Sequence, residues 1–483
     1  MPFSSQFPVY RGSMEYVCQS CGQRFPGKEL YYTCTNCGGV FLLEDLQFER
    51  LTDKSGHEWQ NIFDKRISNK NPLLQGIFRF YELIAPILEP EDIVSIGEGH
   101  TPIIPANSDL TQYIGHEFAY KHEGQNPSAS FKDRGMACAF SAIKSILREN
   151  NWPEILTVCA STGDTSASAA LYAAYVGSPL KSVVLLPQGK VTPQQMGQPL
   201  GSGAYVLELP GYFDDCMRVV EFLADNYRIA LLNSKNSWRI LGQESYSFEI
   251  AQRYDWQLSD KAIFVPIGNA GNISAIMSGF LKLHRLGIIS TLPKIIGVQS
   301  SHADPVYRYY HQEKNKRHYS PIQVRSSVAQ AAMIGNPVSF PRVQSLVERY
   351  EYYGGPGCFQ TIQVEEQEII EGMLMANRYG HISCTQGGEC LAGLIRAIDQ
   401  NIIDADEYPI LDATAHSLKF LKFQEMYFED NFPSEYEISP QKEHINKPLT
   451  LISEQMRQAY PYQEFISQAA QQVVSYLNLK AKG

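Results

Sequence analysis

Short apolar or β-branched runs alternate along this chain with longer segments whose apolar residues recur at helical spacing. The runs predict seven strands, at residues 117–121, 156–159, 182–186, 204–209, 262–266, 295–299 and 408–413. Helices are predicted to follow most of them, for example at residues 131–148 and 165–175. Strands that alternate with helices predict parallel sheets covered on both faces, with ligands gathered at the carboxyl ends of the strands.

The pattern divides the chain into five parts. A cysteine-bearing segment at 1–50 precedes a helical connector at 51–95, and two α/β regions follow at 96–255 and 256–425. The last part, 426–483, is predicted to be a helical extension, in which residues 464–479 carry an apolar stripe at helical spacing. Such a stripe is typical of a helix that packs on a core.

Length and charge narrow the range of ligands. The chain has 483 residues, of which 44% are hydrophobic and 19% charged, and its formal charge is −10. This balance predicts globular domains with no general attraction to nucleic acid or to an anionic membrane, and it favours a small-molecule ligand. No apolar run approaches the roughly 20 residues of a membrane helix, and the first residues do not resemble a signal peptide. We therefore expect a cytoplasmic protein.

Four cysteines near the start form two pairs with metal-binding spacing. Cys18 and Cys21 are separated by two residues, as are Cys34 and Cys37, and twelve residues lie between the pairs. Two such turns can direct four thiolates at one tetrahedral Zn²⁺, so the segment is predicted to be a zinc ribbon with a structural ion. Two disulfides or four free thiols are the alternatives, although the six other cysteines have no pairing pattern.

One lysine stands among small residues just before a predicted helix. Lys132 follows Ser128, Ala129 and Ser130, which leave room for a flat ring beside the amine. An amine in such a pocket can bind pyridoxal phosphate covalently. The alternative is a solvated lysine at the start of a helix.

Three further segments carry polar groups at the ends of predicted strands. Ser161, Thr162 and Thr165 open a helix, whose free N–H groups suit a carboxylate, although they also suit a simple helix cap. Thr414 follows the last predicted strand, where its hydroxyl can bond a ring nitrogen or the backbone. A glycine-rich turn between a strand and a helix predicts a phosphate cradle, formed by Gly268, Asn269, Ala270, Gly271 and Asn272.

Taken in order, these segments resemble the threonine synthase family. The resemblance rests on the motifs at 121–135, 160–166 and 268–272, supported by those at 97–102, 334–337 and 384–389, and covers about residues 95–420. It implies an α/β protein of fold type II among pyridoxal-phosphate enzymes, similar to the tryptophan synthase β subunit, with two parallel-sheet domains.

The resemblance also implies roles for individual residues. Lys132 matches the lysine that holds the cofactor, residues 268–272 match the loop around its phosphate, and Thr414 faces its pyridine nitrogen. Asp164 matches a position beside the ring oxygen where many fold type II relatives have asparagine. The implied substrate-binding residues are Ser161, Thr162 and Thr165 for the carboxylate, and Asn233, Ser234 and Arg239 for the phosphate.

The implied reaction converts O-phospho-L-homoserine and water to L-threonine and phosphate, in an enzyme expected to be a homodimer. Two alternatives stay open. One is an enzyme similar to cysteate synthase, which uses O-phosphoserine and sulfite, because the sequence does not give the depth of the pocket. The other is a zinc-ribbon adaptor on an inactive enzyme fold, which is disfavoured because Lys132 and the glycine-rich turn are intact.

Overall fold

The computed structural model describes residues 7–8, 11–161, 163–189, 193–211 and 213–481. Thr162, one of the predicted carboxylate-binding residues, lies outside the described residues. The strands are β1 (Met14–Cys18), β2 (Arg24–Pro26), β3 (Phe41–Asp45), β4 (Ile103–Pro105), β5 (Ala119–His122), β6 (Ile155–Ala160), β7 (Leu180–Pro187), β8 (Tyr205–Leu209), β9 (Ile229–Leu231), β10 (Lys261–Pro266), β11 (Lys294–Ser300), β12 (Phe359–Val364) and β13 (Tyr408–Ala413).

Helices follow most of the strands of the two larger sheets. They are α1 (Gly56–Ile67), α2 (Tyr81–Ile84), α3 (Ser108–Ile114), α4 (Lys132–Asn150), α5 (Asp164–Val176), α6 (Pro193–Gly201), α7 (Phe213–Asn226), α8 (Ser237–Gln243), α9 (Ser245–Arg253), α10 (Gly271–Arg285), α11 (Pro305–Tyr310), α12 (Phe340–Gly354), α13 (Glu366–Arg378), α14 (Thr385–Asp399), α15 (Leu421–Glu429), α16 (Glu454–Ala459) and α17 (Tyr462–Leu477). No helix among the described residues is long and apolar enough to cross a membrane.

Three sheets organise these elements. The largest has the order β12-β11-β10-β13-β5-β4, and every neighbouring pair is parallel except β4 and β5. A second, parallel sheet has the order β8-β7-β6-β9, and a small antiparallel sheet, β2-β1-β3, lies in the cysteine segment. Every residue of β10 is buried, as expected for a central parallel strand covered on both faces.

All seven strands expected from the apolar runs are present, with ends that differ by at most two residues. Three members of the two larger sheets, β4, β9 and β12, were not predicted. The predicted boundary at residue 255 does not separate the strands of the two larger sheets completely. Strands β4 and β5 precede this residue in the chain, but they belong to the sheet that contains β10 to β13.

The chain divides into two compact units. One comprises residues 1–424 and 433–438, and the other comprises residues 425–432 and 439–483. The second unit contains α16 and α17, and neither helix has a buried residue. The expectation that the apolar stripe of the last helix packs on a core is therefore wrong for α17.

Candidate active site

The loop that carries Lys132 is held against the end of β13. The backbone N–H of Phe131 donates to the carbonyl of Thr414 at 2.9 Å, and the N–H of His416 donates to the carbonyl of Ala129 at 3.0 Å. Ala129 has a φ of 64°, a left-handed conformation that lets the loop turn back toward the strand. Two of the predicted site residues, Lys132 and Thr414, therefore lie near the carboxyl end of β13.

The Lys132 amine has an electrostatic environment that favours its neutral form. Burial, followed by the positive charge of Arg239, lowers the pKa of Lys132 to about 7, and the charge of Asp164 acts in the opposite direction. The Nζ atom lies 4.1 Å from the centre of the Phe131 ring. At neutral pH a large share of this amine is unprotonated, as a nucleophile or a base requires.

The neighbour of this lysine, Asp133, connects the loop to α5. The N–H and hydroxyl of Ser128 both donate to the Asp133 carboxylate at 2.6 Å, and the Ser168 hydroxyl of α5 donates to the same group. Burial raises the pKa of Asp133 to about 6. This carboxylate therefore aligns the lysine loop with the turn that begins α5.

That turn has the predicted geometry of a helix start. Ser161 Oγ accepts a hydrogen bond from the N–H of Gly163 at 3.2 Å, and Asp164 is the first residue of α5. The next residue, Thr165, is half-buried. Lys419 Nζ lies 3.0 Å from Asp164 Oδ1, with both side chains largely buried. Sequence reasoning missed Lys419, although it lies five positions after Thr414, because nothing in the local pattern relates it to Asp164.

The glycine-rich turn forms the start of α10. Ala270 has a φ of 61°, so the chain turns through the left-handed region just before the helix, and the first N–H groups of α10 are free to bind an anion. Asn272 Nδ2 donates to Asp412 Oδ2 of β13 at 2.7 Å. A Cβ at Gly268 would come within 2.8 Å of the Ala332 Cα, so only glycine fits this close approach.

Arg239 is a buried cation without an acidic partner among the described residues. It is 2% exposed, its Nη1 donates to the Leu232 carbonyl at 3.3 Å, and its Nε has no hydrogen-bond partner in the described part of the chain. Burial lowers its pKa to about 10, opposed only by Cys159. The side-chain amide nitrogen of nearby Asn233 also lacks a hydrogen-bond partner among the residues that the structure describes. Since an unpaired buried charge is costly, this arrangement favours an anionic ligand.

Two glycines bring Arg239 close to the lysine helix. A Cβ at Gly135 of α4 would lie 2.8 Å from the Arg239 carbonyl oxygen, and one at Gly242 of α8 would lie 2.3 Å from the Arg134 carbonyl oxygen. Alanine at either position would force the helices apart. The close packing of α4 on α8 therefore places the two cations, Lys132 and Arg239, within electrostatic reach of each other.

The four cysteines of the ribbon form a second candidate site, whose ligand atoms suit a metal ion. The sulfurs of Cys18, Cys21, Cys34 and Cys37 all lie within 4.8 Å of one another. Cys18 Sγ is 3.5 Å from Cys37 Sγ, and Cys21 Sγ is 3.7 Å from Cys34 Sγ. Tetrahedral Zn²⁺ with four thiolates needs sulfurs about 3.8 Å apart, so this ligand set fits a structural zinc ion.

The donor set of the first site fits pyridoxal phosphate. An amine, a helix start suited to a phosphate and a threonine hydroxyl at the end of β13 occur together, as this cofactor requires. Two buried polar atoms in the lysine loop and the glycine-rich turn, Ser130 Oγ and Asn272 Oδ1, have no partner among the described residues. Such unpartnered atoms are rare in a protein interior unless a ligand or water satisfies them.

Comparisons with known proteins agree with this chemistry. A family model described as pyridoxal-phosphate dependent enzyme matches residues 94–410. Threonine synthase of Methanocaldococcus jannaschii is 37% identical over 405 residues, which cover 83% of this chain and 92% of the relative. Threonine synthase 2, chloroplastic, of Arabidopsis thaliana is 33% identical over 81% of this chain and 74% of its own length.

A solved structure has the same fold. The crystal structure of threonine synthase from Escherichia coli matches with a TM-score of 0.62 at 20% identity, over 90% of this chain and 95% of that chain. Fold, site and family match together define a pyridoxal-phosphate-dependent enzyme with parallel α/β sheets. Within that class, the chain belongs to the threonine synthase family of lyases, as the identity to curated members over most of its length shows.

Proposed function

We propose that this protein converts O-phospho-L-homoserine and water to L-threonine and inorganic phosphate. The observation that carries the proposal is the buried Arg239 guanidinium, which has no acidic partner among the described residues and acts electrostatically on Lys132. A substrate with a phosphate ester would supply the missing anion while its amino group reaches the lysine. Relatives named threonine synthase support the assignment.

In this proposal the cofactor is held by residues from three strand ends. Lys132 would bind its aldehyde, the N–H groups at 268–272 would bind its phosphate, and Thr414 Oγ1 would hydrogen-bond its ring nitrogen. Asp164 would interact with the ring oxygen, and Lys419 Nζ lies 3.0 Å from Asp164 Oδ1, where it offsets the negative charge of the carboxylate. Pyridoxal phosphate, when bound, withdraws electrons from the substrate carbon next to the amine.

The chain's own residues would handle binding and proton transfer. The start of α5, with Ser161 and Thr165, would orient the substrate carboxylate, and Thr162, which lies outside the described residues, is predicted to take part. The Lys132 Nζ accepts the proton from Cα, because its lowered pKa leaves it partly unprotonated. Loss of a Cβ proton would then expel the phosphate from Cγ, which takes up a proton in exchange. The released phosphate would lie in a site formed by Asn233, Ser234 and Arg239, where a planar guanidinium can pair with two oxygens. We propose that these contacts retain the phosphate while water adds at Cβ.

The direct test measures products from O-phospho-L-homoserine with the purified holoenzyme. Threonine and phosphate are expected in equal amounts. Parallel reactions contain O-phosphoserine with sulfite, which would reveal an enzyme similar to cysteate synthase. Turnover only in the parallel reactions would contradict the proposal, as would the absence of turnover in a protein that retains its cofactor.

The pH dependence of cofactor binding should reflect the Lys132 amine. Its pKa is lowered from 10.5 to about 7, so the amine of the cofactor-free protein becomes an uncharged nucleophile as the pH rises through 7. The rate of covalent binding of pyridoxal phosphate should therefore rise about tenfold per pH unit below pH 7 and level off above it. Stopped-flow absorbance measures this rate.

Removing the Arg239 charge is a control for that profile. Arg239 is the second cause of the low pKa, so Arg239→Gln should move the midpoint to higher pH. A wild-type rate that keeps rising toward pH 10 would contradict the assignment of the amine. Because the unfolded lysine holds its proton to higher pH, the stability of the cofactor-free protein should rise with pH between 7 and 10.5.

We further propose that the protein is a cytoplasmic homodimer with the five-part domain organisation described above. None of the ten cysteines, all of which lie among the described residues, forms a disulfide, which suits a reducing compartment. Light scattering on the purified holoenzyme would measure a mass near twice 54.4 kDa if the dimer forms. A mass of one chain would contradict it.

A further inference from the structure

The cysteine ribbon contacts the segment that carries Arg239. Ser237 and Trp238, the first two residues of α8, are both hydrogen-bonded to ribbon strands. Ser237 Oγ donates to the Phe41 carbonyl of β3 at 2.9 Å, and Trp238 Nε1 donates to Tyr16 Oη of β1 at 3.1 Å. All four residues are buried. The start of the helix that presents Arg239 is therefore held in place by the ribbon.

A second cation reinforces the same junction. Arg342 of α12 is fully buried, and its Nε donates to the Phe41 carbonyl at 2.7 Å. Its two Nη atoms donate to the carbonyls of Ser234 and Lys235 at 2.8 and 3.1 Å. One guanidinium thus joins the ribbon strand to the backbone of the proposed phosphate-binding segment, 233–239.

The same guanidinium reaches toward the cofactor loop. Arg342 Nη1 also donates to Ser339 Oγ at 2.8 Å, and the Ser339 N–H donates to the Asn269 carbonyl at 3.1 Å. The junction around Phe41 is therefore connected by hydrogen bonds both to the substrate's phosphate segment and to the turn at 268–272.

The ribbon also completes the edge of the four-stranded sheet. Tyr32 Oη accepts a hydrogen bond from the N–H of Leu231 at 3.0 Å and donates to the Ile229 carbonyl at 3.3 Å. Both groups belong to β9, the edge strand that leads into segment 233–239. A single hydroxyl thus satisfies two edge groups, which would otherwise face solvent.

These contacts begin close to the candidate metal site. Cys18 lies directly opposite Phe41 in the pairing of β1 with β3. The Cys34 N–H donates to the Gly39 carbonyl at 2.8 Å, so the second cysteine pair is tied to the turn that enters β3. The position of the Phe41 carbonyl therefore depends on the geometry of the four thiolates.

We propose that the ribbon is a positioning element of the active site, which sets the affinity for the substrate's phosphate through Tyr16, Tyr32 and the Phe41 carbonyl. The inference rests on the proposed function of segment 233–239 as the phosphate site. The ribbon itself touches no reacting atom. Its effect is to hold the start of α8 and the end of β9 in the arrangement that binds the anion.

Two conservative substitutions, alone and combined, test this role in the full-length holoenzyme. Tyr16→Phe and Tyr32→Phe each remove one hydroxyl and keep the buried ring. We expect each to raise the KM for O-phospho-L-homoserine about fivefold and to leave kcat within about twofold. This is the size of effect expected from losing the hydrogen bond that each hydroxyl accepts, from Trp238 for Tyr16 and from Leu231 for Tyr32. The double variant should show a larger rise in KM.

Two binding measurements accompany the kinetics and do not depend on turnover. The affinity for inorganic phosphate should fall in parallel with the rise in KM. Amide hydrogen exchange should accelerate in residues 229–243 of the double variant. Chelation of the ribbon's zinc should reproduce both effects, and added Zn²⁺ should reverse them. Exchange that accelerates only within the ribbon would overturn the proposal.

Tyr31→Phe is the matched control. Its ring lies 6.0 Å from that of Tyr16, but its hydroxyl bonds Glu29 within the ribbon and reaches neither α8 nor β9. This variant should match wild type in KM, phosphate affinity and exchange of residues 229–243. A ribbon that matters only for general stability would lower the unfolding temperature of all three variants and leave their KM values unchanged, which would overturn the proposal.

The outcomes separate this inference from the proposed reaction. If wild type turns over O-phospho-L-homoserine and the double variant has the same KM and phosphate affinity, the ribbon proposal fails and the reaction stands. If wild type does not turn over this substrate, but binds phosphate more tightly than the double variant does, the reaction fails and the ribbon proposal stands.

Discussion

Lys132→Ala is expected to abolish covalent retention of the cofactor and to lower turnover by at least about 10³-fold. Loss of a general base alone lowers a rate by about 10²-fold to 10⁴-fold. Alanine has neither the amine that binds an aldehyde nor the group that accepts the Cα proton. Mass spectrometry after borohydride reduction would show the cofactor attached to wild type and absent from the variant. Phosphate release from O-phospho-L-homoserine measures the rate.

A second lysine on the same helix is the control. Lys144 is on α4, and its Nζ donates to the Glu91 carbonyl on the exterior. Lys144→Ala should retain both the covalent cofactor and normal turnover. Normal turnover by Lys132→Ala would remove this residue from the mechanism and, with it, the assignment of the site.

Arg239→Gln is expected to reduce kcat/KM by about 10²-fold, because it removes charge-assisted hydrogen bonds to the substrate's phosphate. The affinity for inorganic phosphate should decrease in proportion. The ligand-free variant should be at least as stable as wild type, since the substitution removes a buried charge that has no acidic partner among the described residues. Urea unfolding of both proteins measures this difference.

Arg134 is the contrasting control. Its guanidinium pairs with Glu123 at 2.7 Å and with Glu249 at 2.6 Å, and all three side chains are buried. Arg134→Gln should therefore destabilise the protein by about 3–5 kcal/mol, because two buried carboxylates lose the closest of their cationic partners and keep only Lys121 and, for Glu249, Arg79. If Arg239→Gln were equally destabilising and left kcat/KM unchanged, Arg239 would be a structural cation and the phosphate site would lie elsewhere.

Several features could be predicted from the sequence because their signals are local. Strand β13 has the predicted bounds, since an apolar run with flanking polar turns is visible in one short segment. The thiolates of the ribbon converge as their spacing indicates, because each pair of cysteines is a self-contained turn. The lysine loop, the start of α5 and the turn at 268–272 could likewise be recognised from short segments of the sequence.

Other features were not visible because their signals are not local. Strand β9 has only three residues, and β12 places Gln360 and Gln363 between its apolar positions. Pairing in the sheets, rather than local pattern, makes them strands. The apolar stripe of α17 suggested a core helix, but the periodicity of a helix does not reveal whether another surface covers it.

The sequence alone determined the kind of chemistry, and it indicated the strand ends at which we propose that this chemistry occurs. Residue types and spacing within short segments are sufficient for that, because a strand end, a helix start or a cysteine pair is built from neighbours in the chain. Only the tertiary structure decided which distant groups meet, such as Lys419 with Asp164 and Arg342 with the Phe41 carbonyl. It also left Arg239 with no acidic partner within the described part of the chain. Those encounters depend on how helices pack and sheets assemble, and burial then sets the pKa values and the unpaired charge that define the site.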